Sequence, residues 1–335
     1  MRSNALRRLA VAVPTLLVIS ALIFALLELA PGDPMAQLPH TIPEEVRADM
    51  RAALGLDRSA PVRYALWLWQ MVVVEPSVAL DAVLGTDLAA ATPRILSWQT
   101  RAPVMSLIAQ RLPQTLVVVG LAYLIGTMAA VALGVWSAAR QGTALERVGT
   151  GLAAMGYGLP PYFTAAVLIY IFAICLGWMP TVYDTTHRVT GWDSAVVQIR
   201  QMILPVAVLS LQTTAQITRY TRAAMLDALG QDYIRTARAK GLTQRRILLG
   251  HALRNSWTST LTVIALGTPQ IFAGAIITEQ IFGVNGIGQL LIQSLHAGDL
   301  PVVQTVTMII AVLIVLANLT ADLIIARIDP RPQHA

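Results

Sequence analysis

Lysine occurs once in these 335 residues, at Lys240, and cysteine once, at Cys175. A Walker A phosphate loop needs a glycine-rich turn ending in Gly-Lys-Ser/Thr. Here Ala239 precedes the lysine and Gly241 follows it, so the chain cannot hydrolyse ATP by that route. One cysteine excludes an intrachain disulfide and leaves the redox compartment open; Cys175 sits in an apolar run and reads as a small core residue. The five histidines, at 40, 187, 251, 296 and 334, show no metal-ligand spacing, and no nucleophile stands beside a plausible base. Charge is scarce as well: 13% of residues are Asp, Glu, Lys or Arg, about half the share of a soluble domain. The net charge of +6 is not laid out as an aromatic-interleaved basic stripe, which argues against nucleic acid as a partner.

What the chain has in abundance is apolar length: 56% of it is hydrophobic, which places it in the lipid bilayer. Residues 9–27 carry no charge, and these nineteen follow Arg2, Arg7 and Arg8. That length suits a membrane span and exceeds the apolar core of a signal peptide, about 7–15 residues. Further spans are expected at 112–139, 162–178, 201–218, 255–278 and 300–321. The third comes from a charge-free stretch, 148–183, too long for one straight helix and broken by Gly156, Gly158, Pro160 and Pro161; proline removes a backbone hydrogen bond and kinks or stops a helix. Gly126, Ala130 and Gly134 recur every four residues. They give the second span a small face for close helix contact, although glycine is common in membrane helices in any case. Six spans make an all-α polytopic protein with both termini in the cytoplasm, in keeping with the terminal arginines, among them Arg327 and Arg331.

The expected organisation is a first membrane helix at 1–30, an extracytoplasmic segment at 31–103 and a five-helix core at 104–335. Six Arg against eight Asp and Glu between Pro31 and Pro103 suit the outer face. Polar loops follow at 140–147 inside and 181–200 outside. The order Gly283, Gly286, Gly288 is wrong for a nucleotide-binding GxGxxG, and no βαβ pattern surrounds it.

The longest internal polar stretch, 227–254, reads DALGQDYIRTARAKGLTQRRILLGHALR, with six basic residues against two Asp. Asp232 is placed to cap a short helix over 233–240, Gly241 to end it in a left-handed conformation, and Thr243 to cap a second helix. Thr236, Ala237 and Ala239 are small, so another protein's surface can approach the backbone there. On charge alone the stretch reads rather as a solvated basic loop obeying the positive-inside rule.

The run RTARAKG, with His251 and Arg254 following Gly241, resembles the cytoplasmic EAA loop of binding-protein-dependent ABC importer permeases. QDYIRTARAKGL and HALRN are similar to the form carried by the dipeptide and oligopeptide permeases, with Arg235, Thr236 and Ala237 where the generic loop has Glu-Ala-Ala. The APGDP step at 30–34, ALGLDRSAPVRYALWLW, RLPQTL and EQIFGVNGIGQLL extend the resemblance along the chain; residues 72–99 depart from it. That departure reads either as an outward subdomain affecting binding-protein docking or as surface elaboration.

The resemblance implies a type I ABC importer permease fold in a bacterial or archaeal plasma membrane. It also implies a second homologous permease, two cytoplasmic ATPases or one fused ATPase, and an extracytoplasmic solute-binding protein. ATP and Mg would be bound by the ATPase partners, with no cofactor or metal in this chain and no enzymatic activity of its own. The coupling residues would be Tyr233, Arg235, Thr236, Ala237, Arg238, Ala239, Lys240, Gly241 and Leu242. Polar groups inside spans are costly and commonly functional. Gln212 with Gln216, and Asn318 with Asp322, each share a helix face; they line a translocation path or make ordinary interhelical hydrogen bonds, Asp322 with Arg219 or Arg222 as candidate partners. A nickel-chelate permease is the nearest alternative. An ion-coupled secondary transporter is the alternative of another class, but that reading expects an internal inverted repeat, and none is visible in the sequence.

Overall fold

The computed structural model describes residues 2–29, 43–45, 51, 57–87, 92–144, 146, 147, 149, 151, 156 and 158–328, and their side chains except at 2–9, 268–274 and 326–328. The proline step at 30–34, most of 148–157, Arg331 and the side chains of Arg2, Arg7, Arg8 and Arg327 lie outside the described residues. The helices are α1 (Arg2–Leu29), α2 (Ala60–Leu84), α3 (Val104–Ala139), α4 (Pro161–Cys175) and α5 (Trp192–Leu229). After these come α6 (Asp232–Ala239), α7 (Leu253–Phe282), α8 (Ile287–His296) and α9 (Leu300–Ile328). Among the described residues there is no strand, only an isolated bridge between Leu96 and Pro103. The chain divides into two compact units, one of residues 1–9, 114–288 and 313–335, the other of 10–113 and 289–312.

The first unit holds two apolar cores. One joins α3, α4, α5 and α7 through Val118, Ala122, Ala165, Val208, Leu209 and Phe282. The expected small face of α3 is a contact face. A Cβ on Gly126 would stand 2.8 Å from the Ser210 carbonyl oxygen of α5, and one on Gly134 2.6 Å from Thr221 Cβ. With the backbones this close, Thr214 Oγ1 donates to the Gly126 carbonyl at 3.1 Å and Thr218 Oγ1 to that of Ala130 at 3.3 Å. Each hydroxyl thus finds an acceptor across the helix pair, where an unpaired one in an apolar interior would be costly. The second core lies under α6.

The second unit fastens residues 10–29 of α1 to α2 by a 2.8 Å hydrogen bond between the Ser20 and Tyr64 hydroxyls and by Phe24 against Tyr64. Trp67 Nε1 donates to Thr305 Oγ1 of α9 at 3.3 Å. Glu75, 4% exposed, accepts from Arg94 at 2.7 Å and from the Ile95 backbone at 3.3 Å.

Among the described residues, five helices are long and apolar enough to cross a membrane: Ala10–Leu29, Ala60–Leu84, Val104–Ala139, Trp192–Leu229 and Leu300–Ile325. Four of them match expected spans. Ala60–Leu84 falls within the segment expected to be extracytoplasmic, and of its three charged residues Arg63 and Glu75 leave the uncharged run 64–74 between them. The expected third span is the shorter Pro161–Cys175, with Pro161 in its first turn and left-handed Gly177 (φ 62°) beyond its end. Much of the loop expected at 181–200 is helical, since α5 begins at Trp192. Cys175 is exposed, not the core residue its apolar neighbours suggested.

Candidate functional site

The basic stretch folds as expected in outline: helix, glycine corner, helix. α6 buries one stripe, Ile234 and Ala237, three residues apart and therefore on one face, at 0% and 5% exposure. They pack with Met225 and Ala228 of α5, Ala138 of α3, and Ile247 and Ala252. The opposite face presents Tyr233, Arg235, Thr236, Arg238, Ala239 and Lys240, all exposed. Gly241 has φ 72°, the left-handed region that favours glycine. There the Leu242 N–H reaches back to the Ala237 carbonyl (3.3 Å) and the Gly241 N–H to that of Arg238 (3.0 Å). The six-residue closure is a Schellman-type helix end, accompanied by its usual apolar contact: Leu242 packs on the core beneath. A Cβ added at Gly241 would meet no heavy atom within 4 Å, so the corner is open to its surroundings. Beyond it a short turn, Gln244–Arg246, and a π-helical segment, Ile247–Ala252, run into α7.

Three expectations are corrected in detail. Asp232 does not cap α6; the helix includes it, Gln231 stands at the cap without a side-chain bond, and the Asp232 carboxylate accepts from Arg235 at 3.2 Å. Thr243 has the extended cap conformation but makes no side-chain cap bond. Ala237 faces the core, so its small size serves packing beneath the helix and not approach from outside.

The polar span residues are spread out. Gln212 and Gln216 are half-buried on α5, Asn318 is exposed on α9, and Asp322 is half-buried. Arg222, one expected partner of Asp322, is ion-paired with Glu146. That pair went unnoticed in the sequence, although Thr143 and Glu146 carry the spacing of a capping box. Thr143 Oγ1 accepts from the Glu146 N–H (3.2 Å), and Glu146 accepts from the Gly142 N–H (2.6 Å). The Gly142 backbone, then Arg222, hold the Glu146 carboxyl below its usual value of 4.5.

A second cluster was also missed. Glu279, which directly follows the span expected at 255–278, is 1% exposed. It accepts from Thr115 Oγ1 (2.6 Å) and from the Gly288 N–H at the start of α8 (2.7 Å), and Thr115 in turn accepts from the Ile287 N–H (2.9 Å). A Cβ would lie 2.2 Å from the Glu279 carboxylate at Gly286 and 2.9 Å from it at Gly288, which explains these two glycines. A carboxylate facing the N–H groups of a helix start is electrostatically favoured, so this cluster fixes the turn between α7 and α8.

A helical chain built from apolar membrane-spanning helices, with an exposed basic corner between two of them, has the construction of a polytopic membrane component. The chain belongs to the family described as "Binding-protein-dependent transport system inner membrane component", whose model matches residues 130–334, with the corresponding N-terminal model matching residues 1–119. It is a multi-pass ABC transporter permease, a translocation component. It is 34% identical over 337 residues to the oligopeptide transport system permease protein AppB of Bacillus subtilis (strain 168), covering 100% of both chains. It is also 34% identical over 350 residues to the dipeptide transport system permease protein DppB of Escherichia coli (strain K12), covering 98% of each. Among solved structures, the MetNI methionine ABC transporter in inward-facing conformations superposes with a TM-score of 0.55 at 17% identity, covering 67% of this chain and 97% of that one. That likeness carries the type I permease fold alone.

Proposed function

We propose that this chain is one permease subunit of an ATP-driven importer of dipeptides or oligopeptides delivered by a solute-binding protein. The observation that carries the reading is similarity along essentially the whole chain to permeases named for oligopeptide and dipeptide transport. In this reading the exposed face of α6 and the Gly241 corner, within 227–254, dock on the ATPase subunits. Tyr233, Arg235, Thr236, Arg238, Ala239, Lys240 and Gly241 make the contact, while Ala237 and Leu242 hold the helix from beneath. The physical support is a helix buried on one side by its own protein and bare on the other, ending in a corner with open space around it.

A second, homologous permease and two ATPases, or one fused ATPase, complete the membrane complex. ATP and Mg bind to those ATPases, since this chain has no Walker A lysine. Closure of the ATPases pushes on α6, and residues 104–335 switch between inward-open and outward-open arrangements. Gln212, Gln216, Asn318 and Asp322 are the polar side chains offered to the route. Both chain ends lie in the cytoplasm, and residues 31–103 lie outside. Affinity purification of the chain from gently solubilised native membranes tests the assembly: ATPase subunits and a second permease are expected in the eluate, and recovery of the folded chain alone would contradict it.

A further inference from the structure

The second unit contains a cavity of about 420 Å³ that the import reading leaves unused. It has apolar walls from Phe24, Leu27, Leu66 and Trp67, and its polar lining is dominated by donors. Arg58, Arg63, Arg94 and Arg101 face it against one carboxylate, Glu28. Arg63 is ion-paired with Glu28, and Arg94 with Glu75. Among the described residues, Arg58 and Arg101 make no ion pair, and no described carboxylate compensates their guanidinium groups.

Arg101 is itself held in an uncommon conformation, with φ 59°, the one non-glycine residue at positive φ among those described. The turn before it is fixed by Asp299, 2% exposed, which accepts from the Ser97 hydroxyl and from the backbone N–H groups of Trp98 (3.0 Å) and Gln99 (3.3 Å). Backbone strain persists only where the surroundings enforce it, and such residues cluster at ligand clamps.

We propose that this cavity binds the phosphate of an anionic phospholipid headgroup. Arginine forks match phosphate oxygens, and Arg58 and Arg101 present two of them to the cavity. The position favours a lipid over a free phosphate. Phe24, Leu27 and Glu28 mark where the apolar run of α1 ends, while Leu300 and Gln304 mark where that of α9 begins. This is the level at which headgroups lie and at which Trp is enriched. Leu22, Leu26 and Leu29 of α1 are 57%, 69% and 80% exposed, an apolar flank along which acyl chains lie.

The test uses the purified full-length chain with its co-purifying partners, stripped of lipid and titrated with phosphatidylglycerol or phosphatidylcholine under native mass spectrometry. Phosphatidylglycerol is expected to be retained preferentially. The Arg58→Gln/Arg101→Gln double variant should retain it about tenfold less, the effect of losing charge-assisted hydrogen bonds, with phosphatidylcholine unchanged. Equal retention of the two lipids, or an unaltered double variant, would overturn the proposal. Displacement by free glycerol phosphate at matched concentration would reassign the site to a soluble phosphate and equally overturn it. A photoactivatable phosphatidylglycerol on the unaltered protein gives a readout independent of any variant: labelling is expected on peptides containing Arg58 or residues 93–101, and labelling confined elsewhere refutes the site.

Discussion

Replacing Gly241 with valine perturbs the corner after α6 while leaving its packing alone. The residue has φ 72°, and an added Cβ meets nothing within 4 Å, so the substitution clashes with no other part of this chain. Its cost is backbone strain, about 1–2 kcal/mol for an L-residue in the left-handed region. That suffices to lower the population of the native corner about five- to thirtyfold. Ile234, Ala237 and Ile247, which anchor the helix, are untouched, and so are the spans, so the variant should reach the membrane at normal levels. Peptide uptake and ATPase co-purification, measured together at matched expression, should both fall. Two companions separate strain from bulk. Gly241→Ala adds strain with little volume, whereas Gly241→Asn adds volume in a residue that tolerates left-handed backbone. If strain dominates, alanine is the worse of the two; if a partner's surface lies against the corner, asparagine is. Normal uptake by the valine variant with its ATPase still bound would refute the reasoning and leave the loop as a positively charged anchor.

Ile234→Ala, at a fully buried position, should destabilise the seat of α6 by about 2–5 kcal/mol. Arg235→Ala, whose ion pair with Asp232 is 77% and 91% exposed, should change stability by no more than about 0.5 kcal/mol. Thermal unfolding in detergent compares them, and equal effects would contradict the inward and outward assignment. Because the folded Glu146 carboxyl is held below 4.5, its stabilising contribution is present above that pH and lost as pH falls through the folded value. The stability gap between the unaltered chain and Glu146→Gln should therefore be constant near neutrality and close on acidification; a gap independent of pH would count against the Gly142 and Arg222 contacts. In a Cys175→Ala background, single cysteines at Ser59, Thr86 and Ser194 should react with an impermeant reagent from outside and one at Thr243 should not. Opposite labelling of positions 59 and 86 would show that α2 crosses the bilayer.

Elements set by local chemistry were legible in the sequence. The charge-free runs gave four of the long helices, Gly241 gave the corner, and Gly126, Ala130 and Gly134 gave the face that meets α5. Features depending on distant partners were not legible. The α2 helix carries Arg63 and Glu75, which look like markers of an aqueous segment until Glu28 and Arg94 are seen to pair with them. Ala237 is small and lies close to the corner, which suggests an approachable surface, yet the helix turns it inward, onto Ile247 and Ala252. Asp232 misses the cap by one position: the helix already includes it, Gln231 stands before it, and its carboxylate accepts from Arg235 one turn along. Glu279 and Thr115 are 164 positions apart, and no local pattern announces such a contact, although the glycines at 286 and 288 record the space the carboxylate needs.

The central claim, that α6 and the Gly241 corner couple a partner's ATP hydrolysis to import, is tested most directly in proteoliposomes. These would hold the complete complex with its binding protein and a labelled peptide. Uptake should require ATP, ignore proton and sodium gradients, and collapse in the Gly241→Val complex while the ATPases alone remain active. Uptake driven by an ion gradient without ATP, or undiminished in the valine complex, would contradict it.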